Sequence, residues 1–246
     1  MKQRIFLATN VIATFLALFL FSCNSGNEKK ADEPAIEPTT AKPAETAPTP
    51  APSPKLGNIL IIQHKVANFT KWKVAYDSHD SIRHAHGLTN YILGRGTDNP
   101  NIVVIFLKMA DVDKAKELVA SPELKERMKK AGVLGMPTFT FLDVQMNDTS
   151  TIPQTARVMM NHKVKDFDAW KKEFDSHKQV RIDAGMIDRG LGYNIGDNHM
   201  VGIVEAVTDI KKAKAFLRSK DLKDKMAAAG VESPPTILFY NIVNKY

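Results

Sequence analysis

A histidine and an arginine recur four residues apart, as His79 with Arg83 and again as His177 with Arg181. Residues four apart share one face of a helix, so each pair could act as a unit. Imidazole can move a proton near neutral pH, and guanidinium can hold a carboxylate or phosphate through a planar fork. An anion site, or a site assisting proton transfer, is the chemistry this spacing allows. The plainer reading places the arginine against the helix dipole and the histidine on a loop carbonyl. Asp77 and Asp175 fall on other helix faces from their histidines, which argues against a His–Asp dyad within one helix.

A second set lies on strands. Asn58 to Val66 alternates, with Leu60, Ile62, His64 and Val66 on one face and Gln63 and Lys65 on the other. The corresponding later segment carries His162 on one face and Asn161 and Lys163 on the other. Turning Gln63, Lys65, Asn161 and Lys163 toward packed helices would bury four polar groups. This favours His64 and His162 as core histidines and the other four as ligand-binding candidates. The opposite orientation would make His64 and His162 the ligand-facing pair. His84 and His86 could suggest a metal, but their later counterparts are Ile182 and Ala184, and no cysteine or carboxylate cluster completes a set. No metal and no cofactor are expected. Gly94-Arg95-Gly96 lies between strands and is not a phosphate loop.

These residues are positioned by a duplication. His64-Lys65-Val66, Phe69, Trp72-Lys73, Asp77-Ser78-His79, Arg83 and Gly87 return as His162-Lys163-Val164, Phe167, Trp170-Lys171, Asp175-Ser176-His177, Arg181 and Gly185, each at an offset of 98. In the first copy a strand ends at Val66 and Asn68 caps a helix reaching about His86, with Gly87 after it. Strands follow near Leu88–Arg95 and Ile102–Met109. Asp111 opens a further helix that restarts at Ser121-Pro122, Gly132 stops it, and a strand spans Thr138–Val144. The second copy repeats the order over Arg157–Val164, Phe167–Ala184, Ile187–Ile195, Met200–Ala206, a helix from Asp209 broken at Ser219-Lys220, and Thr236–Val243. Both read β-α-β-β-α-β, the ferredoxin-like split unit. Phe69, Trp72 and Tyr76, like Phe167, Trp170 and Phe174, form apolar stripes that pack on a sheet. One such unit leaves a sheet face uncovered, and two can cover each other. The domains expected are repeats over residues 58–146 and 157–246 joined by a linker at 147–156.

Before the repeats come an address and a spacer. Lys2 and Arg4 precede an apolar run from Ile5 to Phe21, too short and interrupted for a comfortable membrane span. The run ends in Leu20-Phe21-Ser22-Cys23, which resembles the lipobox of bacterial lipoproteins, with Phe21 departing from the usual small residue. The resemblance implies that Cys23, the one cysteine in the chain, is lipidated after cleavage and anchors the protein to membrane lipid, facing the periplasm. Asn24, in place of Asp, points to the outer membrane. Residues 24–57 are rich in Pro, Ala, Thr, Glu and Lys and too poor in large apolar groups to order themselves. They read as a disordered, semi-rigid tether.

Charge excludes one class of partner. The formal charge is +7, from 34 Lys and Arg against 27 Asp and Glu, without the clustering that nucleic-acid binding needs.

The pattern His-Lys-Val-x-x-Phe-x-x-Trp-Lys, then Asp-Ser-His, Arg and Gly, with the later Asp-Asn-Pro-Asn and Ala-Gly-Val, resembles the dimeric α/β-barrel superfamily, nearest its antibiotic-biosynthesis-monooxygenase-like group. The resemblance covers roughly Asn58–Val144 and Arg157–Val243. It implies two facing sheets closing a ligand-sized interior, here within one chain as an intramolecular pseudo-dimer and so a monomer. Members include cofactor-free monooxygenases, haem-degrading enzymes, isomerases and proteins without known activity. The haem-degrading members use a first-strand Asn, for which Gln63 and Asn161 are the nearest positions, and a later Trp that has no counterpart here, so no catalytic residue carries over. The expected role is binding a small apolar or anionic molecule in the barrel. The alternatives are a cofactor-free oxygenase- or isomerase-type enzyme using His79, Arg83, His177 and Arg181, or a structural module without ligand.

Overall fold

The computed structural model describes residues 57–246, so Cys23 and the tether as far as Leu56 lie outside the described residues. The described residues form eight strands and eight helices in two halves of the same order. The first half runs β1 (Asn58–Val66), α1 (Phe69–Ser78), α2 (Asp80–Ala85), β2 (Leu88–Gly96), β3 (Ile102–Met109), α3 (Val112–Ala120), α4 (Pro122–Lys130) and β4 (Val133–Asn147). The second runs β5 (Ala156–Lys163), α5 (Phe167–Ser176), α6 (Lys178–Asp183), β6 (Met186–Asn194), β7 (Asp197–Val207), α7 (Ile210–Leu217), α8 (Lys220–Ala228) and β8 (Thr236–Lys245).

The helix starts follow from their caps. Asn68 Oδ1 accepts from the Lys71 amide at 2.9 Å, and Asp166 Oδ1 from the Ala169 amide at 2.7 Å. Asp111 and Asp209 each accept two amides at 3.0 Å, and Ser121 and Ser219 cap α4 and α8 through their hydroxyls. Gly87 and Gly185 follow α2 and α6 with φ of 69° and 77°, the left-handed turn that glycine adopts without a Cβ penalty.

The strands close into one antiparallel barrel in the order β1-β3-β2-β8-β5-β7-β6-β4, with β4 returning to β1. The last strand of each half joins the halves, since β4 pairs with β6 and β8 with β2. Each seam carries a glycine where the chains press together. An ideal Cβ on Gly192 would sit 2.3 Å from the Asp143 carbonyl oxygen, and one on its counterpart Gly94 2.3 Å from the Tyr240 ring.

Strand alternation divides the apolar residues into three cores. Leu60, Ile62, Val66, Trp72 and Leu88 pack beneath the helices of the first half, and Val158, Met160, Val164, Trp170 and Met186 beneath those of the second. Ile59, Ile61, Phe106, Leu142, Met159 and Tyr240 fill the space between the two sheets. The fold is thus two ferredoxin-like repeats in tandem, forming an intramolecular α/β barrel.

Two expectations need correction. The helix expected from Phe69 to His86 breaks at His79, and its copy breaks at His177. The cause lies one turn on. Arg83 Nη1 donates to the Tyr76 carbonyl at 2.7 Å, and Arg181 Nη1 to the Phe174 carbonyl at 2.5 Å. These arginines take carbonyls that a continuous helix would offer to its own amides. The strand expected over Thr138–Val144 also runs from Val133 to Asn147. Its start passes Pro137 at a register shift against β1, and its end gains partners from β6, in the other repeat.

Candidate functional site

Between the sheets lies a cavity of about 270 Å³, lined mainly by apolar side chains including Ile59, Phe106, Leu142, Met159 and Ile242. It exists because small residues of the second repeat replace large ones of the first. Gly202 stands at the position of Val104, and Gly190 at that of Ile92. A Cβ on Gly202 would come within 3.1 Å of Asn161 Oδ1, so the glycine makes room for the Asn161 side chain beside the cavity.

One wall is polar. Arg157, 3% exposed, replaces Ile59 of the first repeat and lines the cavity. Its Nη1 donates to the Gln154 and Ala156 carbonyls at 2.9 Å, which orients the guanidinium without neutralising it. Among the described residues, no carboxylate pairs with it. Burial lowers its pKa, opposed by Tyr240 and Tyr91 nearby, and guanidinium stays charged at any ordinary pH. The Tyr240 hydroxyl is fully buried without a hydrogen-bond partner, and burial raises its pKa, with Arg157 pulling the other way. Asn147 Nδ2 is likewise buried and unpartnered on the cavity wall. The one acidic side chain in the lining, Asp148, is held by Arg189 at 2.9 Å, and Lys245 adds a further cation. The wall therefore offers more donors and positive charge than the protein itself uses.

Two smaller cavities lie beneath the helices, about 80 Å³ in the first repeat and about 90 Å³ in the second. His64 and His162 belong here, each edge-on to Trp72 or Trp170 with ring centroids 5.4 Å apart. Neither imidazole has a polar partner, and burial lowers both pKa values to about 4. They are neutral core rings, as the strand pattern indicates, but without the hydrogen bonds expected of buried histidines.

Arg83 and Arg181 are buried as well, over the rings of Tyr76 and Phe174 at 3.9 and 3.5 Å. Their surroundings differ. Arg83 donates to the half-exposed Asp80 at 2.9 Å, and both Tyr76 and Asp80 bond Asn90. Arg181 makes a two-pronged bond to Asp188 at 2.8 Å and touches Glu205 Oε1 at 3.1 Å. Arg181 Nε–H is aligned on Asp188, so Glu205 lies within reach of the guanidinium without accepting a hydrogen bond from it. Glu205 is fully buried, and its pKa rises to about 8. Burial is the main cause, Arg181 opposes it, and the charge and hydrogen-bonding oxygen of Asp188 add to it. Near neutral pH, Glu205 therefore keeps a proton. His79 and His177 stand half-buried at the helix breaks beside these cavities. Burial, Arg127 and Arg83 lower the pKa of His79, with Glu123 opposing.

Of the strand candidates, Asn161 lines the barrel cavity. Gln63 is half-buried and outside that lining. Lys65 and Lys163 do not reach the interior: both are exposed, and Lys163 lies 3.6 Å from Glu232. Both sit at the ends of their strands, where a long side chain reaches solvent. Arg157, Tyr240, Asp188 and Glu205 escaped the sequence reading. Their signal was available at the repeat offset, where Ile59, Leu142, Asn90 and Leu107 stand in the first copy. Among the described residues, no group of three or more His, Cys, Asp or Glu is placed to hold a metal.

Solved structures share this architecture. A protein of Fusobacterium nucleatum provisionally described as a monooxygenase is 14% identical, with a TM-score of 0.50, covering 76% of this chain and 93% of its own. An anthrone oxidase-like protein is 11% identical, with a TM-score of 0.53 and coverages of 78% and 94%. No family model and no curated protein matches the sequence. At such identities the likeness establishes the fold alone: ferredoxin-like repeats forming an α/β barrel, built here by one chain.

Proposed function

We propose that this protein is a bacterial lipoprotein whose barrel binds a small, largely apolar or anionic molecule without transforming it. The observation that carries the reading is the cavity of about 270 Å³, lined mainly by apolar side chains with one polar wall, which has room for a small organic molecule. Acylated Cys23 and the tether of residues 24–57 would hold the barrel at the periplasmic face of the envelope, with the outer membrane favoured by Asn24. Two or more acyl chains give stable anchoring without a spanning helix. The working unit is a monomer, because the barrel closes within one chain.

A native mass spectrum of the chain, purified gently from its host membrane, tests this. A monomer retaining one small molecule is expected. A chain that dimerises obligatorily and carries no ligand would count against the proposal.

A second reading is favoured by Glu205, a proton-holding carboxyl beside His177 and Arg181 in the cavity beneath α5 and α7. There the protein would be a cofactor-free oxygenase- or isomerase-type enzyme. The double variant His79→Ala/His177→Ala decides it: unchanged conversion of any substrate found would remove the histidines from the chemistry.

A further inference from the structure

We infer that the barrel's ligand is a single-headed organic anion, a monocarboxylate with an apolar body, bound one per chain with its head on Arg157. The inference rests on the barrel being a ligand compartment. It adds the ligand's charge, its polarity and its stoichiometry.

Two donors of the cavity lining have no acceptor, the guanidinium edge of Arg157 not used by Gln154 and Ala156 and the buried Asn147 Nδ2, and the Tyr240 hydroxyl is a further unpartnered donor in the same barrel core. A buried cation without an anion is unfavourable unless something neutralises it. Arg189 already has Asp148 and the Ser150 carbonyl and hydroxyl, so Arg157 is the cation left uncompensated at depth. A carboxylate matches the free edge of the Arg157 guanidinium, since it accepts through two oxygens and supplies the missing negative charge. A neutral amide of the same shape replaces one acceptor oxygen by a further donor and brings no charge.

The rest of the lining selects the body. Ile59, Phe106, Leu142 and Met159 suit an apolar body, and the other cations of the lining are Arg189, already paired with Asp148, and the exposed Lys245, so no second buried cation is free for another anionic head. Stoichiometry follows from the repeat comparison. The counterparts of Arg157 and Tyr240 are Ile59 and Leu142, so the two-fold pseudo-symmetry produces no second head-group site.

The test uses the full chain in lipid nanodiscs, with protein-free nanodiscs as the blank. Equilibrium dialysis compares radiolabelled hexanoate with hexanamide, which shares its shape without its charge. Hexanoate is expected to saturate at one per chain and to bind roughly tenfold or more tighter than hexanamide, the scale of one charge-assisted contact. Arg157→Gln is expected to abolish that preference while hexanamide binding persists, and Arg157→Lys to retain part of it. Equal binding of both probes, or a preference that survives in Arg157→Gln, would overturn the anionic ligand and leave a barrel ligand standing. Failure of both probes to bind above the blank would overturn the anion and the compartment together. The comparison on the unaltered chain decides the matter even where a variant folds poorly.

Discussion

The two repeats keep one scaffold and differ in what they bury. Both place a histidine on a tryptophan, an arginine over an aromatic ring, and a side-chain cap at the start of each corresponding long helix. Where the first repeat has Leu107, Asn90, Ile59 and Leu142, the second has Glu205, Asp188, Arg157 and Tyr240. The shared positions make the fold. The divergent ones sit on the two faces of the second repeat's sheet: an acid pair with Arg181 beneath the helices, and an uncompensated arginine in the barrel. Duplication supplied a closed container, and the asymmetry between copies gives it polarity.

The tryptophans test what is shared. Trp72→Ala and Trp170→Ala each remove a side chain only 3% exposed, and each should cost about 4 kcal/mol in chemical denaturation. Similar costs are expected because their surroundings match. A difference above about 2 kcal/mol would mean that the copies are not energetically equivalent.

The seam glycines should differ. Gly192→Ala forces a Cβ against a backbone carbonyl and should cost about 3 kcal/mol, whereas Gly94→Ala meets only side chains, the buried Tyr240 ring and Val104, and should cost less because side chains yield before backbone does. Thermal melting of the two variants side by side checks the order.

The buried titrating groups predict a stability optimum. His64 and His162 have folded pKa values of about 4, below their unfolded value, so unfolding takes up protons and stability is lost as pH falls from about 6.5 to 4. Glu205 has a folded pKa of about 8, above its unfolded value, so unfolding releases a proton and stability is lost as pH rises from about 4.5 to 8. With two histidines against one glutamate, these groups place the maximum near pH 6.5, with limbs of about 1.4 kcal/mol per pH unit. Denaturation midpoints from pH 4.5 to 8.5 measure both limbs, and a flat profile would contradict the assignment.

The smallest effect sharpens the comparison most. Glu205→Leu gives the second repeat the residue of the first. It should erase the alkaline limb and add about 1 to 2 kcal/mol at pH 8, because Arg181 keeps Asp188 as its partner. Loss of stability at pH 8 would show that the acid pair holds the helices on.

Much of the architecture was legible in the sequence, for reasons that are local. The cap residues, the turn glycines and the alternation of β1 each express short-range physics, and the repeat offset tied the two halves together. The break at His79 was not legible, because it depends on Arg83 reaching back to the Tyr76 carbonyl, a contact invisible to helical periodicity. The full length of β4 was hidden for a related reason, since its last residues are held by β6. The site was read least well. Chemistry was sought where the copies agree, at His79, Arg83, His177 and Arg181, while the uncompensated donors lie where they disagree. Agreement between copies marks the scaffold; Arg157 against Ile59 and Glu205 against Leu107 mark the specialisation.

Met159 and Met160 are adjacent on β5 and point to opposite sides, Met159 into the barrel and Met160 into the cavity beneath the helices. The methyl spectrum of the chain with isotope-labelled methionine, recorded while hexanoate is added, therefore reports on both compartments at once. A saturating shift of the Met159 methyl with Met160 unmoved is expected, and no Met159 shift in Arg157→Gln at the same concentrations. Movement of Met160 alone would place the ligand beneath the helices and contradict the barrel as the binding compartment.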